Sequence, residues 1–322
     1  MPCAGAGRDP GPTATGITTR EGKEWRVRHF PTKILLATDG SEDAGLALRA
    51  AVDLSARAGS DLHVIHAWRP FPEHPHPSVA MASDSALYER EAREVLFGQL
   101  EEIGAAGAVA AGAHLERGRA AETIADTARD LGADLIVVGS RGLGPVRRLV
   151  TGSVCEGVVF LAGCPVLVVR GGGGSWPPAR IIVGEDGSAG AREAGRIAAG
   201  VGRALGAELL LVRAQPVFLP PTEARGHARR PVGMPESIRA HHEASLAGRA
   251  NQLRDVLGRA PRFRLTEGEP ASVLLGVADG REGSSLLCVG RRGLGRLERL
   301  RLGSVSTKVL RASAGPVLFS PG

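Results

Sequence analysis

The feature that most constrains this chain is a motif that occurs twice. Gly139-Ser140-Arg141-Gly142 is followed after nine residues by Gly152-Ser153. Gly290-Arg291-Arg292-Gly293 is followed after nine residues by Gly303-Ser304. Each copy of Gly-x2-Gly-x9-Gly-Ser comes just after a short apolar run (Leu135–Val138, Ser285–Val289) and leads into a helix-length segment. Upstream of each lies another shared stretch, ILLATDGS ending at Ser41 and IIVGEDGS ending at Ser188. Asp39 and Asp186 are 147 residues apart, and Gly139 and Gly290 are 151 apart, so the second copy has gained four residues in between. A repeat of this length is a duplicated domain; solenoid periods run near 20–50 residues. The 322 residues suffice for two units with their own cores.

Within each unit, short apolar runs alternate with helical patterns. In the first, Lys33–Thr38 reads as a buried strand. Residues 42–58 read as a helix, with Ser41 as N-cap and Ala44, Leu48, Ala51, Val52 and Ala58 on one side. Leu62–Trp68 is a second strand, followed by a Pro- and His-rich loop over 70–80 and a helix of about 23 residues from Ser83. A short strand around His114, a helix over 120–131, a strand over 134–138, a helix over 153–161 and a strand over 165–170 complete the unit. The second unit echoes the first, strand for strand, with a Pro/Arg-rich loop over 215–235. Alternation of this kind implies α/β architecture, a parallel sheet with helices on both faces. The divisions expected are a tail (1–31), a first domain (32–170), a Gly-rich linker (171–178) and a second domain (179–322).

The repeated glycines suit a phosphate. Glycine lets backbone approach a ligand closely, and a helix N-terminus offers unpaired N–H donors and partial positive charge. In open α/β sheets ligands bind beyond the carboxyl ends of the strands, at the switch point. The first and fourth strands both end there, so Asp39 and Asp186 would face the glycine loops. The plainer reading, glycines that only make turns, loses ground because the pattern recurs in the same slot behind the same Asp-Gly-Ser. The loop is neither a Walker A nor a Rossmann fingerprint. Ser153-Val154-Cys155-Glu156 reads as a capping box, which the second copy lacks with Thr307.

With VVGSRGLGPVRRLVTGSV and CVGRRGLGRLERLRLGSV beside ILLATDGS and IIVGEDGS, both halves resemble the universal stress protein family in its tandem form. The resemblance covers about residues 32–170 and 179–320. It implies a Rossmann-like fold of the adenine nucleotide alpha hydrolase type, two open five-stranded parallel sheets in the order 3-2-1-4-5. It also implies ATP, with or without Mg2+, and its motif spacing marks the ATP-binding members. By position, Asp39 and Asp186 would sit by adenosine, and Ala67 and Ala214 would offer backbone to adenine. Gly139, Gly142, Gly152 and Ser153 would cradle phosphates, as would Gly290, Gly293, Gly303 and Ser304. The N–H groups of Val154 and Val305 would complete each helix N-terminus. The last strands of the two halves would pair as an internal pseudo-dimer, leaving a homodimer of chains open.

The resemblance points to a cytoplasmic ATP-binding regulatory protein. The rivals are a slow ATPase or nucleotide-transferring enzyme and a dimerisation scaffold with vacant sites. No nucleophile–base spacing supports an enzyme. Aromatics are 3% of residues, too few for stacking platforms, and the net charge of +6 is spread along the chain, which argues against nucleic acid. No apolar run approaches a membrane span, and no secretory leader is evident. Four cysteines without CxxC spacing fit a reducing compartment; Cys155 and Cys288 read as core fillers. His63 and His66 have an odd spacing on a strand, so they would face opposite ways and share no metal. His74, His76, His241 and His242 read as solvated. Arg141, Arg147 and Arg148, and Arg291, Arg292, Arg296, Arg299 and Arg301, form either a solvated basic face or an attractor for triphosphate. Glu185 should point away from the ligand, since it is adjacent to Asp186, which makes its burial awkward.

Overall fold

The computed structural model describes residues 30–69, 85–142, 152–171, 176–215, 217, 233–280, 284–291 and 302–321. Most of the tail, the linker glycines Gly172–Gly174 and nearly all of the two long loops lie outside the described residues, as do 143–151 and 292–301. The first half runs β1 (Lys33–Ala37), α1 (Glu42–Ala58), β2 (Asp61–Trp68), α2 (Ser85–Ala105), β3 (Gly112–Arg117), α3 (Ala120–Leu131), β4 (Leu135–Gly139), α4 (Ser153–Leu161), β5 (Val166–Val169). The second runs β6 (Arg180–Gly184), α5 (Ala189–Leu205), β7 (Glu208–Gln215), α6 (Glu236–Leu257), β8 (Arg262–Glu267), α7 (Pro270–Ala278), β9 (Ser285–Gly290), α8 (Ser304–Ala312), β10 (Val317–Ser320).

Alternate residues of a strand face opposite ways, and the two sides of this sheet carry separate cores. Ile34 and Leu36 of β1 pack with α1, α2, α5 and α6. Leu35 and Ala37 pack with α3, α4, α7 and α8. Continuous apolar strands such as Leu135–Val138 follow from burial on both faces. The helices that follow the first strands are punctuated by their own residues. The Ser41 hydroxyl accepts the Ala44 N–H at 3.3 Å, and Gly59 closes α1 at φ 70. Ser188 and Gly206 do the same for α5.

Strands lie in the order β3-β2-β1-β4-β5-β10-β9-β6-β7-β8. Each half has the order 3-2-1-4-5, the second mirrored, and the halves merge into one ten-stranded mixed sheet. The join is the antiparallel pair β5·β10, with Val168 opposite Val317 and Val166 opposite Phe319. Phe30, assigned by sequence to the tail, is buried in the core. Trp176 of the expected linker donates its indole N–H to Asp53 at 2.9 Å.

Side chains cross the join. Arg170, just past β5 and buried, donates to the Ser313 carbonyl at 2.7 Å and to the Leu310 carbonyl, both at the C-terminus of α8. Arg291, just past β9, donates to the Val159, Phe160 and Ala162 carbonyls at the C-terminus of α4. A cation there meets orphan carbonyls and the negative end of the helix dipole. Arg291 is therefore committed to the join, where the sequence left it open between a solvated basic face and an attractor for triphosphate. The expected capping box is also corrected: Gly152 is the N-cap of α4, without a side-chain cap, and Glu156 pairs with Arg311 across the join at 3.0 Å.

Burial separates these contacts. Arg170→Ala strands two carbonyls and should lower unfolding free energy by about 1.5–3 kcal/mol, the range for hydrogen bonds to charged groups. Arg311→Ala removes an exposed pair and should leave the urea midpoint unchanged.

Candidate functional site

The strand order reverses direction between β1 and β4 in the first half, and between β6 and β9 in the second. Connections leave these neighbours to opposite sides and open a crevice at their carboxyl ends. The Asp-Gly-Ser turns and the glycine loops both begin there. Because β5 and β10 are antiparallel, the two crevices lie at opposite ends of the sheet.

In the first crevice Asp39 Oδ1 accepts the Ser41 N–H at 3.0 Å, and Thr38 Oγ1 accepts the Gly40 N–H at 3.2 Å. Gly40 has φ 75, where a side chain would be strained. The Ser41 hydroxyl also donates to the Arg141 carbonyl at 3.2 Å, tying the turn to the glycine loop. Gly142 lies against Asp39, and a Cβ on Gly142 would collide with Asp39 Oδ2. The structure thus brings Asp39 and Gly142 together. The base of the loop is closed by the Gly152 N–H donating to the Ser140 carbonyl at 2.8 Å, and in the second copy Gly303 donates to Arg291 at 2.7 Å in the same register. Neither α4 nor α8 has a side-chain cap, so Ser153 with Val154, and Ser304 with Val305, begin helices whose N-termini face the loop base without one. Ala67 and Ala214 are the next-to-last residues of β2 and β7, beside these turns.

Gly139 and Gly290 sit differently from what the sequence suggested. A Cβ on Gly139 would stand 2.8–2.9 Å from the backbone of Asp43 and Ala44 in the first turn of α1. A Cβ on Gly290 would meet Gly190 and Ala191 of α5 at 2.8–3.2 Å. Their glycine requirement comes from helix–strand packing. Ser140, unassigned by sequence, is buried and donates to Asp43 at 2.7 Å; its position inside the Gly-Ser-Arg-Gly tetrad was the available signal. Gly293, Arg147, Arg148, Arg292, Arg296, Arg299 and Arg301 lie outside the described residues, as do His74 and His76.

In the second crevice Asp186 repeats the turn, accepting the Ser188 N–H at 2.9 Å. Glu185 replaces Thr38 as the brace, accepting the Gly187 N–H at 2.8 Å. It is buried and points away, as expected, to Arg213 at 3.8 Å and Arg249 at 3.5 Å. Burial lowers the Arg249 pKa from its ordinary value, with the Glu185 carboxylate opposing. His242 is engaged rather than solvated, within 3.2 Å of Arg213. In the first half the same place is neutral: Thr38 donates to buried Gln99 at 2.9 Å, and His66 Nδ1 lies 2.8 Å from the Thr38 carbonyl.

Burial pushes the Cys155 and Cys164 thiols up to about 12, and Cys288 upward too, so these sulfurs are poor nucleophiles. Among the described residues no group of three or more His, Cys, Asp or Glu converges on a metal position. No helix there is long and apolar enough to cross a membrane. A cleft of ≈ 850 Å³ between the halves, lined by Ala128, Cys164, Ile197 and Pro321 among others, contains none of the spaced glycines.

The sequence profile of the universal stress protein family matches residues 31–170 and again 178–321. A universal stress protein of Thermus aquaticus is 39% identical over 137 residues, covering 42% of this chain and 97% of that protein. Universal stress protein YxiE of Bacillus subtilis is 32% identical over 151 residues, covering 43% and 98%. The crystal structure of a universal stress protein from Archaeoglobus fulgidus covers 90% of this chain and 96% of its own, with a TM-score of 0.63 at 22% identity, a likeness of fold.

The two kinds of glycine should separate on mutation. Gly139→Ala forces a methyl into helix backbone and should cost about 1–3 kcal/mol in a denaturant titration. Gly142→Ala presses only on the Asp39 side chain and should stay within roughly 0.5 kcal/mol of the parent.

Proposed function

The chain belongs to the universal stress protein family, and from that premise we propose that it is a regulatory protein that binds ATP, with one site in each half. The observation that carries this reading is the contact of Asp39 with Gly142, held by the Ser41 hydroxyl on the Arg141 carbonyl, beside a helix start without a side-chain cap. A carboxylate fixed by its turn, a glycine that lets the loop lie against it, and helix N-termini without side-chain caps fit a nucleotide with its phosphates toward the helix.

In this reading Asp39 and Asp186 meet a ribose hydroxyl or a polar base edge, and the backbone at Ala67 and Ala214 meets adenine. The phosphates, with or without Mg2+, lie over Gly142, Gly152, Ser153 and the Val154 N–H. Gly293, Gly303, Ser304 and Val305 do the same in the second half. Gly139 and Gly290 act one step back, by letting α1 and α5 come close enough to place the turns. In this reading the bound nucleotide serves as a signal, and turnover should stay below about 1 s⁻¹, the low end of ordinary enzymes. Localisation in the cytoplasm is part of the same proposal.

A second reading is a scaffold, favoured by the continuous ten-stranded sheet, which already gives the chain its pseudo-dimer. Mass spectrometry of freshly purified, denatured protein, followed by calorimetric titration, separates the two. The expected result is co-purified ATP and two sites per chain. Gly142→Val should remove the first site and Gly293→Val the second, each with at least a tenfold loss of affinity. Absence of nucleotide together with no heat on ATP addition supports the scaffold. Parental affinity in the double variant sinks the site assignment.

A further inference from the structure

His63 of β2 and His114 of β3 lie on the outer edge of the first half. Their nearest ring nitrogens, His63 Nδ1 and His114 Nε2, are 3.2 Å apart, with the rings inclined by 26°. Gly112 is the register partner of His63. A Cβ on Gly112 would stand 2.6 Å from His63 Nδ1 and 3.3 Å from His114 Nε2. The rings meet because that position is glycine.

Two imidazole nitrogens this close share one proton or one metal ion. Metal–imidazole bonds of roughly 2.0–2.1 Å at square or tetrahedral angles separate two nitrogens by roughly 2.9–3.4 Å. The spacing here falls inside that range. Imidazole pairs favour the later first-row divalent ions, Cu2+ most tightly.

We propose that His63 and His114 form a two-imidazole site for Cu2+, Ni2+ or Zn2+ that tethers the edge strand β3 to β2, with water completing the ion's shell. Binding uses the lone pairs of His63 Nδ1 and His114 Nε2, and a proton lying between them moves to the far nitrogen of its own ring. The ion sits on the side away from Gly112, after a small turn of each ring. The second half has Leu210, Arg262 and Arg264 at the equivalent register and cannot form a copy. Sequence spacing pointed away from His66 as a partner for His63; the partner comes instead from the neighbouring strand. The site is independent of nucleotide binding.

The test is titration of the full chain with Cu2+, read by electron paramagnetic resonance, and with Zn2+, read by calorimetry. His63→Leu installs the residue that the second half carries, and His114→Gln removes the other ligand. The parent should bind one ion more per chain than either variant and show two-nitrogen coupling that both lose. Gly112→Ala keeps both imidazoles but crowds their nitrogens, and should weaken that site at least tenfold. The remaining histidines are common to all forms and cancel in the comparison. Equal stoichiometry in the parent and both histidine variants, or undiminished affinity in Gly112→Ala, overturns the proposal.

Discussion

The structure depends on one antiparallel contact, three residues long, between β5 and β10. All the other strand pairs among the described residues are parallel and lie within a half. An unpaired sheet edge is a template for another strand, and here the last strand of each copy covers the other's, leaving β3 and β8 as the edges. The pairing also fixes orientation. It turns the second half over, so its crevice opens at the opposite end of the sheet. It brings the C-terminus of α4 beside the end of β9, and the C-terminus of α8 beside the end of β5. The last carbonyls of those helices need donors. Arg170 and Arg291 supply them, yet they do not occupy equivalent positions in the repeat. The same electrostatic demand is met from two places in the sequence.

The crevices show the same logic in another form. An Asp-Gly-Ser turn needs a brace behind it, because Gly40 and Gly187 sit at positive φ and their N–H groups must be satisfied. In the first half the brace is neutral, Thr38 with Gln99. In the second it is ionic, Glu185 with Arg213 and Arg249. A buried ionic brace is costly to desolvate and costlier to break by removing one partner. With two arginines against one carboxylate it places surplus positive charge behind the second turn. The two turns share a hydrogen-bond pattern and differ in the charge behind them.

Much of this was legible in the sequence, for definite reasons. The helices over 42–58, 120–131 and 153–161 begin and end where sequence reading put them, since Ser41, Gly59 and Gly132 are strong punctuation. Buried strands read clearly because burial on both faces leaves no polar interruption. Asp39 and Gly142 were expected together and are together. The failures share a cause: each depended on a distant partner. Glu156 looked like a local cap, but Arg311 lies 155 residues away and takes it. Arg291 looked like part of a basic loop, but the other half's helix end claims it. His63 was judged against His66, three residues along, when its neighbour is His114 on the adjacent strand.

The duplication supplies its own control for separating shape from chemistry. Whatever both halves need to fold should recur in role. Gly139 and Gly290 recur, each pressed against the first turn of a helix, and so do the Ser41 and Ser188 caps. Whatever appears once is not required by the fold. His63, His114 and Gly112 appear once, and in the second half Leu210, Arg262 and Arg264 serve the same strand pair without any ring contact. The Asp-to-loop-glycine contact stands between these cases. Its residues recur in sequence, 103 residues apart in the first half and 107 in the second, yet Gly142 has no packing demand from backbone, only the Asp39 carboxylate beside it. A side chain at Gly142 would displace the Asp39 carboxylate, so this glycine serves the placement of a charged group and not the packing of a helix.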